Sequence, residues 1–435
     1  MKKRFSLCTA AAVVALTMQC AAAQKETSIT DAGAIGDGKT LNTKAIQSAV
    51  DRLAASGGTL VVPKGVFLSG ALFLKPGVNL HLAEGAVLKG SSDIRDYPKM
   101  MTRFEGHFEA WIPALVNADT CDHLRITGPG SLDGNGSAFW TEFLTRRAKD
   151  PKTTNMSVER PRLMFIQNSQ DVQVSAVTFK DSGMWNLHLY RCKNVIVEKS
   201  RFEVPDGVRC PSTDGTDIDS CQNVTIRDCT YSVDDDCIAM KGSKGPFAME
   251  DTLSPPVEHI RVVGCTFERG HGVITLGSEA TIVRDVVVEG CKVTGAIPVV
   301  RFKLRPDTPQ IYEDIHYRDI ILDSKEGMLF QLLPWKQYFD LKGQPPPKSY
   351  VRNITVSGIK GSFGSFGTII GNSTTEINGI TLDNFDVTFK DGQLKLGEVK
   401  NITAKNVTVN GKPFSPKQNN APTDENSLPP PDYLK

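Results

Sequence analysis

Residues Ser212–Ser243 read STDGTDIDSCQNVTIRDCTYSVDDDCIAMKGS, and two features of this stretch govern how the rest of the chain is read. The first is the phrase Asn223-Val224-Thr225-Ile226, a polar residue leading into β-branched residues, with a second short strand pattern after it. The second is the placing of Asp214 about twenty residues before the run Asp234-Asp235-Asp236. Carboxylates gathered without basic neighbours hold protons more tightly than isolated ones. Such a cluster suits chemistry in which one acid donates a proton while another deprotonates water.

The phrase recurs. It stands as His123-Leu124-Arg125-Ile126, Asp171-Val172-Gln173-Val174, Asn194-Val195-Ile196-Val197 and His259-Ile260-Arg261-Val262. It continues through Asp285-Val286-Val287-Val288, Asp314-Ile315, Asn353-Ile354-Thr355-Val356, Gly379-Ile380-Thr381-Leu382 and Asn401-Ile402-Thr403. The period is mostly twenty-two to thirty-nine residues. A repeat of that length built from strands and turns alone predicts a solenoid. A right-handed parallel β-helix is its natural form, because parallel crossovers favour that hand. The class is all-β, one domain over residues 24–416. Before the repeat, Ala45, Ile46, Ala49, Val50 and Leu53 fall at helical spacing within Thr43–Ala54, ahead of Gly57-Gly58. This short helix is expected to cap the open N-terminal end, where a bare strand edge invites aggregation. The sequons at Asn223, Asn353, Asn401 and Asn406 lie inside the phrase and read as turn chemistry rather than glycosylation. Three insertions interrupt the rhythm, at 93–116, 141–159 and 335–348, and loops on a solenoid gather on its binding face.

The first residues fit a cleaved signal peptide (1–23). Lys2-Lys3-Arg4 precede an apolar run from Leu7 to Met18, and Ala21-Ala22-Ala23 end it. The protein is therefore expected to be exported, periplasmic or secreted, with cleavage near Ala23; Cys20 leaves a lipid-anchored form as the alternative. Loss of the three N-terminal cations takes the formal charge from +1 to −2. A near-neutral chain without a basic stripe argues against nucleic-acid binding, and no later apolar run is long enough to span a bilayer. Of the ten cysteines, Cys8 and Cys20 lie in the signal region; among the rest, Cys121, Cys192 and Cys221 share one phase of the repeat and Cys229, Cys265 and Cys291 another. They read as small apolar residues stacked in a core, with a disulfide or two the alternative. The polar, Pro-rich tail (417–435) is expected to be extended or disordered.

Stacked coils turn residues of equal phase into ladders about 4.8 Å apart. Asp235 lies eleven residues after Val224, and His271 eleven after Ile260, so His271 belongs one coil above the acids. Asp214 falls on the coil before. Arg301 and Lys303 fall on the coil after His271, both on one face by their i, i+2 spacing, with Phe302 inward. Asp235 and Asp236 can share a groove only across a bend or bulge. Each residue also has a plainer reading. Asp214, Asp217 and Asp219 could be turn caps or a Ca²⁺ site, the Asp run a solvated turn, His271 structural, and Arg301 and Lys303 surface charge.

At this point the chain resembles glycoside hydrolase family 28, the polygalacturonase family of pectin-degrading β-helix enzymes. That family's motifs Asn-Thr-Asp, Gly-Asp-Asp, Gly/Ser-His-Gly and Arg-Ile-Lys are matched in order. Here they stand as Ser212-Thr213-Asp214, Asp234-Asp235-Asp236, Gly270-His271-Gly272 and Arg301-Phe302-Lys303. A Gly-x-Gly-x-Ile-Asp-Gly-x-Gly turn is matched at Gly128–Gly136, and the Gly36 segment and Arg160-Pro161-Arg162 extend the likeness. The resemblance implies hydrolysis, with inversion, at an α-linked galacturonic acid residue of a pectic poly- or oligosaccharide. Asp235 would be the general acid, Asp214 and Asp236 would activate water, His271 would tune the acid, and Arg301 and Lys303 would bind the sugar carboxylate. No cofactor and no metal are implied, and a monomer is expected. An inverting pair would stand about 6.5–9.5 Å apart.

The chain departs from the pattern at Ser212, which loses an amide, and at Asp234, which adds a charge and removes φ freedom. Arg305 could add a second anion contact if its strand continues to Pro306. The insertions suggest a groove closed at one end, hence exo action on galacturonan or rhamnogalacturonan fragments. The rival readings are a non-catalytic carbohydrate-binding solenoid and a Ca²⁺-dependent pectate-lyase-like enzyme.

Overall fold

A computed structural model describes residues 25–417; the expected signal segment, with Cys8 and Cys20, and the tail beyond 417 lie outside them. A single 33-stranded sheet winds through the described chain, its strands pairing in parallel with the coil before and the coil after. The structure is a parallel β-helix. Ahead of the repeat the strands are Gly58–Val62, Gly65–Ser69, Leu72–Leu74, Val78–Leu82 and Ala86–Gly90.

Like residues stack because the coils are in register. Phe179, Phe202, Tyr231 and Phe267 occupy successive rungs, with ring centroids 4.8, 4.8 and 5.4 Å apart, close to the strand spacing. The asparagines of the sequons occupy a left-handed turn, with φ of 57° at Asn223 and 52° at Asn353, which Asn tolerates better than most residues. Their side chains link coil to coil, as where Asn223 Nδ2 donates to Asn194 Oδ1 at 3.2 Å. All eight described cysteines are buried free thiols. Cys192 N–H donates to Cys221 Sγ at 3.2 Å, so the two phases of cysteine are ladders in the core, not disulfides.

Helix α1 (Thr43–Ala54) has the expected bounds and turns Ile46, Ala49, Val50 and Leu53 into the same core, covering its N-terminal end. The insertions carry regular structure of their own. The first contains an antiparallel hairpin, Met100–Phe104 with His107–Trp111. The second begins within a helix the sequence reading did not anticipate, α2 (Ser137–Lys149), which buries Phe139, Trp140 and Phe143. Those apolar positions were legible at i, i+1 and i+4, but only four residues of the helix precede the segment read as an insertion.

One stack of strands carries the candidate site: Leu187–Tyr190, Thr216–Asp219, Asp236–Lys241, Gly272–Leu276 and Pro298–Leu304. Ile218, Ile238, Ile274 and Val300 point into the core, whereas Asp217, Ala239, Thr275 and Arg301 point out.

Candidate active site

Asp214 precedes the strand Thr216–Asp219, and its backbone carbonyl accepts from Asn186 N–H at 2.8 Å. Gly215 follows because a Cβ there would lie 2.5 Å from the Cys237 carbonyl and from the Tyr231 ring. Asp234 and Asp235 form the anticipated bend, and the strand begins at Asp236. The coil above is joined at the same point: His271 N–H donates to the Asp235 carbonyl at 2.8 Å. The glycines around His271 are dictated by this closeness. A Cβ at Gly270 would meet Cys237 Sγ at 2.5 Å, and one at Gly272 would meet Thr275 Oγ1 at 2.2 Å.

The register therefore brings together all six candidate residues. Each of Asp214, Asp235 and Asp236 places an oxygen within 4.8 Å of the others. This is closer than the separation anticipated for an inverting pair, because adjacent coils approach to strand spacing and the bend turns Asp235 and Asp236 to the same side. Asp236 is buried and fully engaged: Oδ1 accepts from Thr275 Oγ1 at 2.8 Å and Arg301 Nη1 at 3.0 Å, and Oδ2 from Lys303 Nζ at 2.7 Å. Arg301 also donates to the His271 carbonyl. Asp235 faces the groove, its side chain 24% exposed against 5% for Asp214 and 1% for Asp236, with His271 Nδ1 3.5 Å from Oδ1.

The electrostatics divide the three acids. Burial pushes Asp214 well above the ordinary carboxylate range, Asp235 and Asp217 add to this, and Lys241 opposes it. Burial also works against charge on Asp235 and Asp236. There it is outweighed, by His271, Lys303 and Arg301 around Asp235 and by Lys303 and Arg301 around Asp236, and both fall below the ordinary value. One oxygen from each acid could reach a single cation, but both Asp236 oxygens already accept from fixed cations and Lys241 Nζ lies 3.5 Å from Asp214. Lysine and arginine take the place a metal would fill, so these residues do not fit one.

Two expectations need correction. Arg305 makes no contact in the groove: its strand ends at Leu304, and the buried guanidinium binds Asp307 and the carbonyls of Gln337 and Tyr338. Asp234 turns away from the other acids, accepting from Cys210 N–H at 2.6 Å with Arg209 and Arg269 nearby, and does not need a positive φ. At Ser212 the backbone is left-handed (φ 61°), and its hydroxyl donates to Asn155 Oδ1 at 3.1 Å.

The sequence reading missed how the insertions are tied down. Three buried arginines do it. Arg103, on the hairpin, binds Asp219 at 2.9 Å. Arg160 binds the Pro211 carbonyl and Asn155 Oδ1, and Arg305 holds the third loop. Over the groove the insertions meet: Asn155 Nδ2 donates to Glu105 Oε1 at 2.8 Å, and Asn155 N–H to the Tyr338 hydroxyl at 3.3 Å. Trp335 lies over Lys303 Nζ, 4.9 Å from the ring centroid. Lys241 and Glu279 were also missed, although Lys241 shares the outward phase of Asp219, its register partner.

The chain is similar to several known proteins. It is 30% identical over 319 residues to a "Probable polygalacturonase" of Vitis vinifera, covering 71% of this chain and 61% of that one. It is 28% identical to an "Exopolygalacturonase" of Zea mays, covering 83% of each. An exopolygalacturonase structure from Thermotoga maritima shares the fold at TM-score 0.71, with 24% identity over 90% of this chain and 93% of that one. The family model for "Glycosyl hydrolases family 28" matches residues 57–412, so the chain belongs to that family and is a glycoside hydrolase.

Proposed function

We propose that the protein hydrolyses α-linked galacturonic acid from the ends of pectic chains, with inversion, after export through its N-terminal signal segment. The observation that carries this is the row of three carboxylates, flanked by Arg301 and Lys303, in a groove roofed by Glu105, Asn155 and Tyr338. Asp235, the most exposed acid, is placed to protonate a glycosidic oxygen. Oxygens of Asp214 and Asp236 less than 4.8 Å apart can both hydrogen-bond one water, which fits the water-activating role. The donors on Asp236 make it a poor nucleophile towards carbon, which favours water attack over a covalent intermediate.

An acid must carry its proton, yet His271, Lys303 and Arg301 hold Asp235 below the ordinary carboxylate range. A galacturonate carboxylate bound by Arg301 and Lys303 would draw those cations off and add a negative charge, both of which raise Asp235. Substrate would arm the acid. The meeting of the three insertions supports exo action, since a chain cannot run freely past a roof at one end. A hydrolase family leaves the non-catalytic and lyase readings without support. The sugar on the leaving side, galacturonate or rhamnose, is to be read from products.

The test is digestion of polygalacturonate, followed by viscometry, and of oligogalacturonides, followed by proton NMR. The β-anomer formed first and steady release of a single small product are expected, and Asp235→Asn should lower kcat by about three orders of magnitude. An α-anomer would overturn inversion, early collapse of viscosity would overturn exo action, and a fully active Asp235→Asn would overturn the acid assignment.

A further inference from the structure

Behind Asp214 lies a second charged cluster. Lys241 Nζ, its side chain 6% exposed, stands 3.3 Å from Asp217, 3.5 Å from Asp214 and 3.8 Å from Glu279. It also lies 4.5 Å from the centroid of the Trp185 ring. Asp217 is wholly buried, and among the described residues neither of its oxygens has a well-directed hydrogen bond. A buried carboxylate in that condition is costly. It is not held as Asp219 is, by a bidentate arginine, nor is it in the groove.

We infer that Lys241 is a positioning residue, shared between Asp214 and Asp217, that keeps Asp214 able to accept a proton from the attacking water. The inference rests on the hydrolytic reading of the three acids. Its physical basis is a division of one cation. Asp214 faces Asp217 on its own coil, Asp235 and Asp236 on the next, and Arg160 from the second insertion, with Glu279 beyond Lys241. Asp217 faces Asp214, Asp236 and Lys241, with His188 its register partner on the neighbouring strand and Arg162 just ahead of the strand Met164–Gln167. A base surrounded by three like charges in a dry site takes up a proton before substrate arrives and cannot serve. Lys241 is the fixed charge that opposes this, and its ammonium is strongly held: burial works against it, and Asp217, Asp214 and Glu279 outweigh the burial. Asp217 competes for the same cation. Burial raises it to about 7, with Lys241 working against the rise, so near neutral pH it changes charge and alters how much of Lys241 is left for Asp214.

Opposite shifts follow for the two partners. Lys241→Met removes the cation, so the acid limb of the kcat/KM profile should move up by about one pH unit or more. Asp217→Asn removes a competing negative charge and should move the limb down, with Glu279→Gln following it in direction. Lys241→Arg should restore the wild-type limb. The experiment measures these profiles on oligogalacturonides, alongside ¹³C-carboxyl titration of the Asp214 side chain, assigned with Asp214→Asn. Limbs that stay in place while activity falls, or that move the same way in Lys241→Met and Asp217→Asn, would overturn the inference. Where Lys241→Met fails to fold, Asp217→Asn and Glu279→Gln carry the same signed test. Wild-type protein that releases nothing from galacturonan would refute the hydrolytic reading instead, and the carbon titration would still decide whether Lys241 governs Asp214.

Discussion

At one end of the carboxylate row, a single acid, Asp236, faces two cations, Arg301 and Lys303, from two coils further on. At the other end, a single cation, Lys241, faces three acids, Asp214, Asp217 and Glu279. Both groups lie on the outer face of the same sheet, in equal dryness, and their charge ratios are inverted. The difference shows how one architecture separates the affinities of chemically identical side chains. Excess cation holds Asp236 below the ordinary carboxylate value, whereas burial and neighbouring carboxylates raise Asp214 above it and burial brings Asp217 to about 7.

The largest test of this contrast is at the cation-rich end. Lys303→Met should cost about 1.5–3 kcal/mol of binding, roughly ten- to a hundredfold in kcat/KM, on free galacturonate oligosaccharides. The same variant should lose its preference for free over methyl-esterified substrate. Equal kinetics for wild type and variant would remove Lys303 from the sugar-binding role.

A smaller effect is expected in stability. Because the folded pKa of Asp217 is raised, from 3.8 to about 7, its neutral form favours folding, and that contribution is lost as pH rises between these values. Asp217→Asn should therefore raise Tm at pH 8 relative to wild type and change it little at pH 4. Asp219 has the opposite sign: burial raises it, but Arg103 and His188 win and bring it to about 2. Its stabilising share is present above 3.8 and lost as pH falls towards 2. A gain in Tm confined to pH 4 in Asp217→Asn would contradict the assignment.

The smallest expected effect is at the roof. Tyr338→Ala removes the hydroxyl that meets Asn155 and should leave folding intact, since Arg305 still ties the loop through its backbone. Longer products should then appear among the small ones, seen by chromatography of a polygalacturonate digest. An unchanged product ladder would mean that the roof does not set the mode of attack.

Much of this was legible beforehand. The repeat, α1, the cysteine ladders and the side-by-side placing of Asp214, Asp235, Asp236, His271, Arg301 and Lys303 follow from phase alone. A stacked coil converts sequence position into spatial position almost without distortion. What escaped notice lies off the repeat or depends on competition. Arg305 reads as another groove cation, but Asp307 and two loop carbonyls claim it first. Asp217 and Asp219 look equivalent at i, i+2, yet one meets an arginine from a hairpin more than a hundred residues earlier and the other shares a lysine.

The sequence by itself determined the fold, the floor of the groove and the identity of its charged residues, because backbone periodicity and side-chain alternation are local properties that coil stacking propagates. Only the tertiary structure decided which acids hold a proton more tightly, which cations pair with them and how the groove is roofed. Those outcomes depend on burial and on which partner reaches a charge first. Both are set by the insertions, which obey no period.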